Sequence, residues 1–150
     1  MKSILRASLF TLVAFLSITS LKAQTSPQTP SASTSEAADL VKQARQLNSE
    51  GKQSEAVALY KKAISIASGK DLYDALLGAG SALDLKGQYD DARKYLAKAI
   101  EVAPPDSKVQ ALKAMAFSYA FERKPREAAK YEQDAFNRQT DEKKIGRAHV

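Results

Sequence analysis

A 36-residue period runs through the middle of this chain and limits what it can fold into. Ala56, Ala92 and Ala128 stand 36 residues apart, as do Ala63, Ala99 and Ala135. Leu40, Leu76 and Leu112 keep the same interval, and so do Ala44, Gly80 and Ala116, and then Leu47, Leu83 and Tyr119. An unrelated run of apolar helices would not hold small residues to one column across two shifts, so the period marks an internal repeat. Each copy is then one supersecondary unit that buries its apolar face against its neighbours.

The unit is a helical hairpin. In the middle copy Leu76, Ala79, Gly80 and Leu83 lie three, one and three residues apart, which lines them along one side of a helix. The pattern breaks at Lys86-Gly87-Gln88, resumes with Ala92, Leu96 and Ala99, and stops at Pro104, which cannot continue a helix. The same reading predicts helices over 37–50 and 54–68, 71–86 and 89–102, and 106–122 and 125–138. Gly51, Gly69 and Gly87 fall at helix ends, where a left-handed backbone is cheap only without a side chain. Pro125 opens the last helix where its missing N–H costs nothing. Gly80 and the alanine columns remove bulk where two helix backbones approach, so these small residues are packing residues.

On these residues the chain resembles the tetratricopeptide repeat family. The family pattern is a bulky residue, Leu-Gly, Tyr, and a later Ala, Phe and Pro. The middle copy answers it with Leu76, Ala79-Gly80, Leu83, Ala92, Leu96 and Pro104. Its period of 36 exceeds the family's, which is about 34, and the aromatic column inside the second helix runs Tyr60, Leu96, Glu132, which makes the third copy the weakest match. The resemblance implies an all-α fold: a right-handed solenoid of three hairpins at 37–70, 73–106 and 109–142. It also implies a concave groove lined by the first helix of each pair. Mapped onto this chain, the groove carries Val41, Arg45 and Ser49, then Leu77, Ser81, Asp84 and Leu85, then Lys113, Phe117 and Phe121. Family members that grip a terminal carboxylate use paired Lys and Asn there, and Val41 and Arg45 stand in their place, which disfavours that ligand. Phe117 and Phe121, four residues apart, have two readings: anchors for an apolar ligand residue, or packing against a further repeat.

The N-terminus predicts export. Lys2 and Arg6 precede the apolar run 7–20, and Leu21-Lys22-Ala23 ends in a small residue, the layout of a secretory signal peptide cut after Ala23. The run is 14 residues long, short of the roughly 20 needed to cross a bilayer as a helix. A periplasmic or extracellular protein of bacterial type is expected. Residues 24–36 are rich in Ser, Thr and Pro, carry no apolar periodicity, and form an expected disordered linker. At the other end Ile145–Val150, I-G-R-A-H-V, is what one frame of a common sequencing adapter translates to. The tail is therefore expected to be non-native, with the gene cut there.

Composition excludes several functions. The net charge of +6 falls to +3 without Lys2, Arg6 and Lys22, and to +2 without Arg147, too little for a nucleic-acid partner. Lys61-Lys62 and Lys143-Lys144 read as solvated faces. There is no cysteine, and the single histidine, His149, lies in the suspect tail. Asp90-Asp91 belongs to a helix start rather than a metal site, since no His or Cys accompanies it. With no phosphate-cradling loop and no base to activate a nucleophile, no catalysis, cofactor or metal is expected. The expected function is a non-catalytic scaffold of the cell envelope that holds protein or peptide segments. The alternative is the N-terminal part of a longer exported protein carrying an enzyme or an envelope-assembly module.

Overall fold

The structure, a computed structural model, describes residues 32–148, with side chains placed for 36–140. The expected signal segment and residues 149–150 lie outside the described residues. Among the described residues six α-helices form three antiparallel hairpins: α1 (Ala32–Ser49) with α2 (Gln53–Ile66), α3 (Gly69–Leu85) with α4 (Tyr89–Val102), and α5 (Lys108–Phe121) with α6 (Pro125–Ala148). Each hairpin stacks on the next, and a short 3-10 turn at Pro105–Ser107 leads from α4 into α5.

The three hairpin turns are the same turn. Lys52 N–H donates to the Leu47 carbonyl, Gln88 N–H to that of Leu83, and Lys124 N–H to that of Tyr119, each at 2.9 Å. Such a turn closes the first helix through a residue in the left-handed region. Gly51 (φ 79°) and Gly87 (φ 73°) supply it in the first two hairpins, and Arg123 (φ 61°), in the same column, supplies it in the third. Gly69 is also left-handed, at the junction where α3 starts.

Two helix limits differ from the sequence expectation by more than two residues. α1 begins at Ala32, so residues 32–36 of the expected linker are helical: no proline follows Pro30 to stop the helix running back. α6 continues to Ala148, past the expected end at 138 and into the suspect tail. In the column where Pro104 stops α4, α6 carries Thr140, and the following Asp-Glu-Lys-Lys run propagates the helix.

The alanine columns are buried throughout, from 0% exposed at Ala44, Ala56, Ala63, Ala92 and Ala99 to 5% at Ala128. Gly80 faces Leu96 across its own hairpin, where a Cβ would lie 2.6 Å from the leucine side chain. A second glycine, without a place in the period argument, is as tightly enclosed: a Cβ on Gly78 would lie 2.3 Å from the Tyr60 ring. Tyr60 thus seats the first hairpin on the backbone of the second. The next joint solves the same problem differently. Val57 and Leu83 share one aliphatic cluster at the first joint. One period later Arg93 lies over the Tyr119 ring, 4.6 Å from its centre, and Tyr119 stacks on Tyr131 at 5.5 Å. Arg93 Nη1 also sits 2.6 Å from Glu122 Oε2, so its charge is paired as well as stacked.

Candidate binding groove

An opening of about 590 Å³ lies between α3 and α5, and its walls include Leu77, Ser81, Val109, Gln110, Lys113 and Phe117. Its position follows from a change of residues in two columns. Between α1 and α3 the gap is bridged: Arg45 reaches Asp74 at 3.0 Å, and Val41 is buried in the cluster that holds Ala75, Ala79 and Ala82. One period later the ion pair becomes Ser81 and Gln110, and Val41 becomes Leu77. Ser81 does not reach α5, and Gln110 is drawn aside to accept a 3.3 Å hydrogen bond from the Tyr73 hydroxyl, so a polar-rimmed, apolar-floored opening remains between them.

Four of the ten expected groove residues line this opening: Leu77, Ser81, Lys113 and Phe117. Ser81 Oγ donates to the Leu77 carbonyl at 3.0 Å, which turns its hydroxyl back onto its own helix. Leu85 and Phe121 are 58% and 56% exposed beyond it. Arg45 and Ser49 are exposed on α1, and Ser49 Oγ is spent on the Gln46 carbonyl at 2.7 Å. Two residues are not groove residues. Val41 is 3% exposed because α1 and α3 close over it, and Asp84, 7% exposed, is turned into the joint with α5, where Ser118 donates to it. Burial raises the Asp84 pKa, opposed in part by the Ser118 hydrogen bond and the Arg93 charge.

Val109, Gln110 and Asp106 also line the groove, although the groove mapping did not include them. Their signal was present: 106, 109, 110, 113 and 117 follow one face of a helix. Gln139 reaches the opening from the long α6, which no spacing in the sequence announces.

Among the described residues no three His, Cys, Asp or Glu side chains are grouped to hold a metal. No helix among them is long and apolar enough to cross a membrane. The opening has an apolar floor, with one lysine, one aspartate and carboxamide or hydroxyl groups at the rim.

Residues 47–116 match the sequence profile of a tetratricopeptide repeat. The fold is similar to the crystal structure of the TPR domain of Arabidopsis FLU, with a TM-score of 0.64 and 19% identity over 73% of this chain and 98% of that one. No protein of curated function matches the sequence. The repeat period, the stacked hairpins and this profile agree that residues 47–116 are built of tetratricopeptide repeats.

Proposed function

We propose that the chain is an exported, non-catalytic scaffold of the cell envelope that holds a protein or peptide segment in the groove between α3 and α5. Tetratricopeptide repeats mediate protein–protein interaction, which supports a protein ligand. The observation that carries the reading is a comparison of columns. Leu85 stays 58% exposed and Ser81 half-exposed although a complete hairpin stands beside them. Phe117 and Phe121 occupy those same two columns, so a hairpin docked after them would leave them accessible too. Ligand anchoring therefore explains the two rings better than packing against a further repeat. An apolar side chain of the ligand fits between Leu77, Val109 and Phe117, and a carboxylate beside it meets Lys113.

The test is the double variant Phe117→Ala/Phe121→Ala, assayed by thermal melt and by crosslinking in an envelope extract. Stability within about 1 kcal/mol of the parent with loss of the crosslinked partner is expected. A stability loss of about 3 kcal/mol or more identifies the rings as core and overturns the reading.

A further inference from the structure

The joint between the first two hairpins carries a second opening, on the α2–α4 side. It encloses about 480 Å³ and shares no lining residue with the groove between α3 and α5. Val57, Leu83 and Tyr95, all packed into the first core cluster, form its floor. Lys61, Lys86, Lys94 and Lys98 stand around it against a single carboxylate, Asp91. Lys94 takes that carboxylate at 2.7 Å, and Lys61, Lys86 and Lys98 are in no ion pair among the described residues. The Lys94 hydrogen bond, with the charges of Lys94 and Lys61 behind it, holds the Asp91 carboxyl below its ordinary value.

The next joint balances the same columns with charges of both signs. One period on, Val57 becomes Arg93, Lys86 becomes Glu122, Gln88 becomes Lys124, Lys98 becomes Asp134 and Lys61 becomes Ala97. The Glu122 carboxylate sits between Arg93 Nη1 at 2.6 Å and Lys124 Nζ at 2.8 Å. The cations of that joint therefore have an acid of their own. At the first joint the column of this acid holds Lys86, so Lys61, Lys86 and Lys98 face one opening without a counter-charge. Like charges around a concave, apolar-floored surface repel one another and focus a positive potential there, which an anion with several oxygens relieves.

We infer that this opening binds a small diphosphate-bearing ligand, whose negative charge takes the part at the first joint that Glu122 plays at the second. A single phosphate ester carries only about −1.5 to −2, so it would leave one of the unpaired lysines without a partner. Lysine ammonium groups hold phosphoryl oxygens as point charges with no fixed plane, which suits a cluster gathered from separate elements. Lys61 comes from α2, Lys86 from the turn after α3, and Lys94 and Lys98 from α4, so the bound ligand also ties the first hairpin to the second.

Equilibrium dialysis of the full chain against labelled inorganic pyrophosphate tests this. One saturable site per chain is expected, weakening as salt rises. Lys61→Gln/Lys98→Gln should lose about tenfold or more in affinity with unchanged helical circular dichroism. Lys62→Gln/Lys130→Gln removes as much charge away from the opening and should stay within about twofold of the parent. Lys86→Glu copies Glu122 into the first joint and should abolish binding. No saturable binding, several sites per chain, equal losses in the two glutamine pairs, or binding that survives Lys86→Glu would each overturn the inference. Where pyrophosphate binds, cardiolipin vesicles separate the two sources of a paired phosphate. Co-sedimentation that pyrophosphate competes away assigns it to a lipid headgroup, and no co-sedimentation assigns it to a soluble ester.

Discussion

The Ser118 hydroxyl donates a 2.7 Å hydrogen bond to the Asp84 carboxylate, tying α5 to α3 inside the second joint. Burial holds the folded-state pKa of Asp84 above the ordinary carboxylate value. Between the unfolded and the raised folded pKa the native state binds the extra proton, so this group's contribution to stability falls as pH rises through that window. Asp84→Asn keeps an acceptor for Ser118 and removes the buried charge. It should stabilise the protein at neutral pH, by about 1 kcal/mol, and the gain should vanish in acid below the window. Asp84→Ala strands the hydroxyl instead and should cost about 1–3 kcal/mol. Urea titrations of the three proteins from acid to neutral pH read both outcomes; a parent–Asn difference that does not change with pH would mean that Asp84 is not held by burial.

Arg123 carries a side chain in the turn position that Gly51 and Gly87 fill in the other hairpins. A left-handed backbone costs an L-residue roughly 1–2 kcal/mol. Arg123→Gly should therefore raise stability by about 1 kcal/mol after the entropy of the freer unfolded glycine is subtracted. Gly87→Ala should lower it by a similar amount. Chemical denaturation midpoints decide both, and a loss of stability in Arg123→Gly would show that the arginine side chain repays its backbone strain.

Gly78 and Gly80 each admit no Cβ without displacing a neighbour, Tyr60 in one case and Leu96 in the other. Gly78→Ala and Gly80→Leu should each destabilise by about 1–3 kcal/mol or more. Because the obstacle to Gly78→Ala is the Tyr60 ring, Tyr60→Leu combined with it should cost less than the two single changes added. Strict additivity in that double-mutant cycle would place the two residues out of contact.

Export predicts removal of Met1–Ala23. Edman sequencing of the chain recovered from an envelope fraction should begin at Gln24 or within a few residues of it. An intact Met1 on a membrane-bound species would contradict the signal-peptide reading.

What the sequence determined by itself is the part of the fold that translates from copy to copy. Alanine at 56, 92 and 128 is buried in all three hairpins, and glycine at 51 and 87 takes the left-handed turn, because each position answers to its own helix and that helix's partner, both fixed by local spacing. The tertiary structure alone decided what a column does at each joint. Val41, Leu77 and Lys113 share one column, yet they are respectively buried, half-buried and exposed. The family resemblance mapped Asp84 to the groove, yet it turns into the joint because Ser118 waits there. Gly78 is enclosed because Tyr60 reaches it from another hairpin. Such outcomes depend on the sizes and polar groups of side chains that meet across a joint, many positions apart in sequence, and periodicity carries no information about that meeting until the hairpins are stacked.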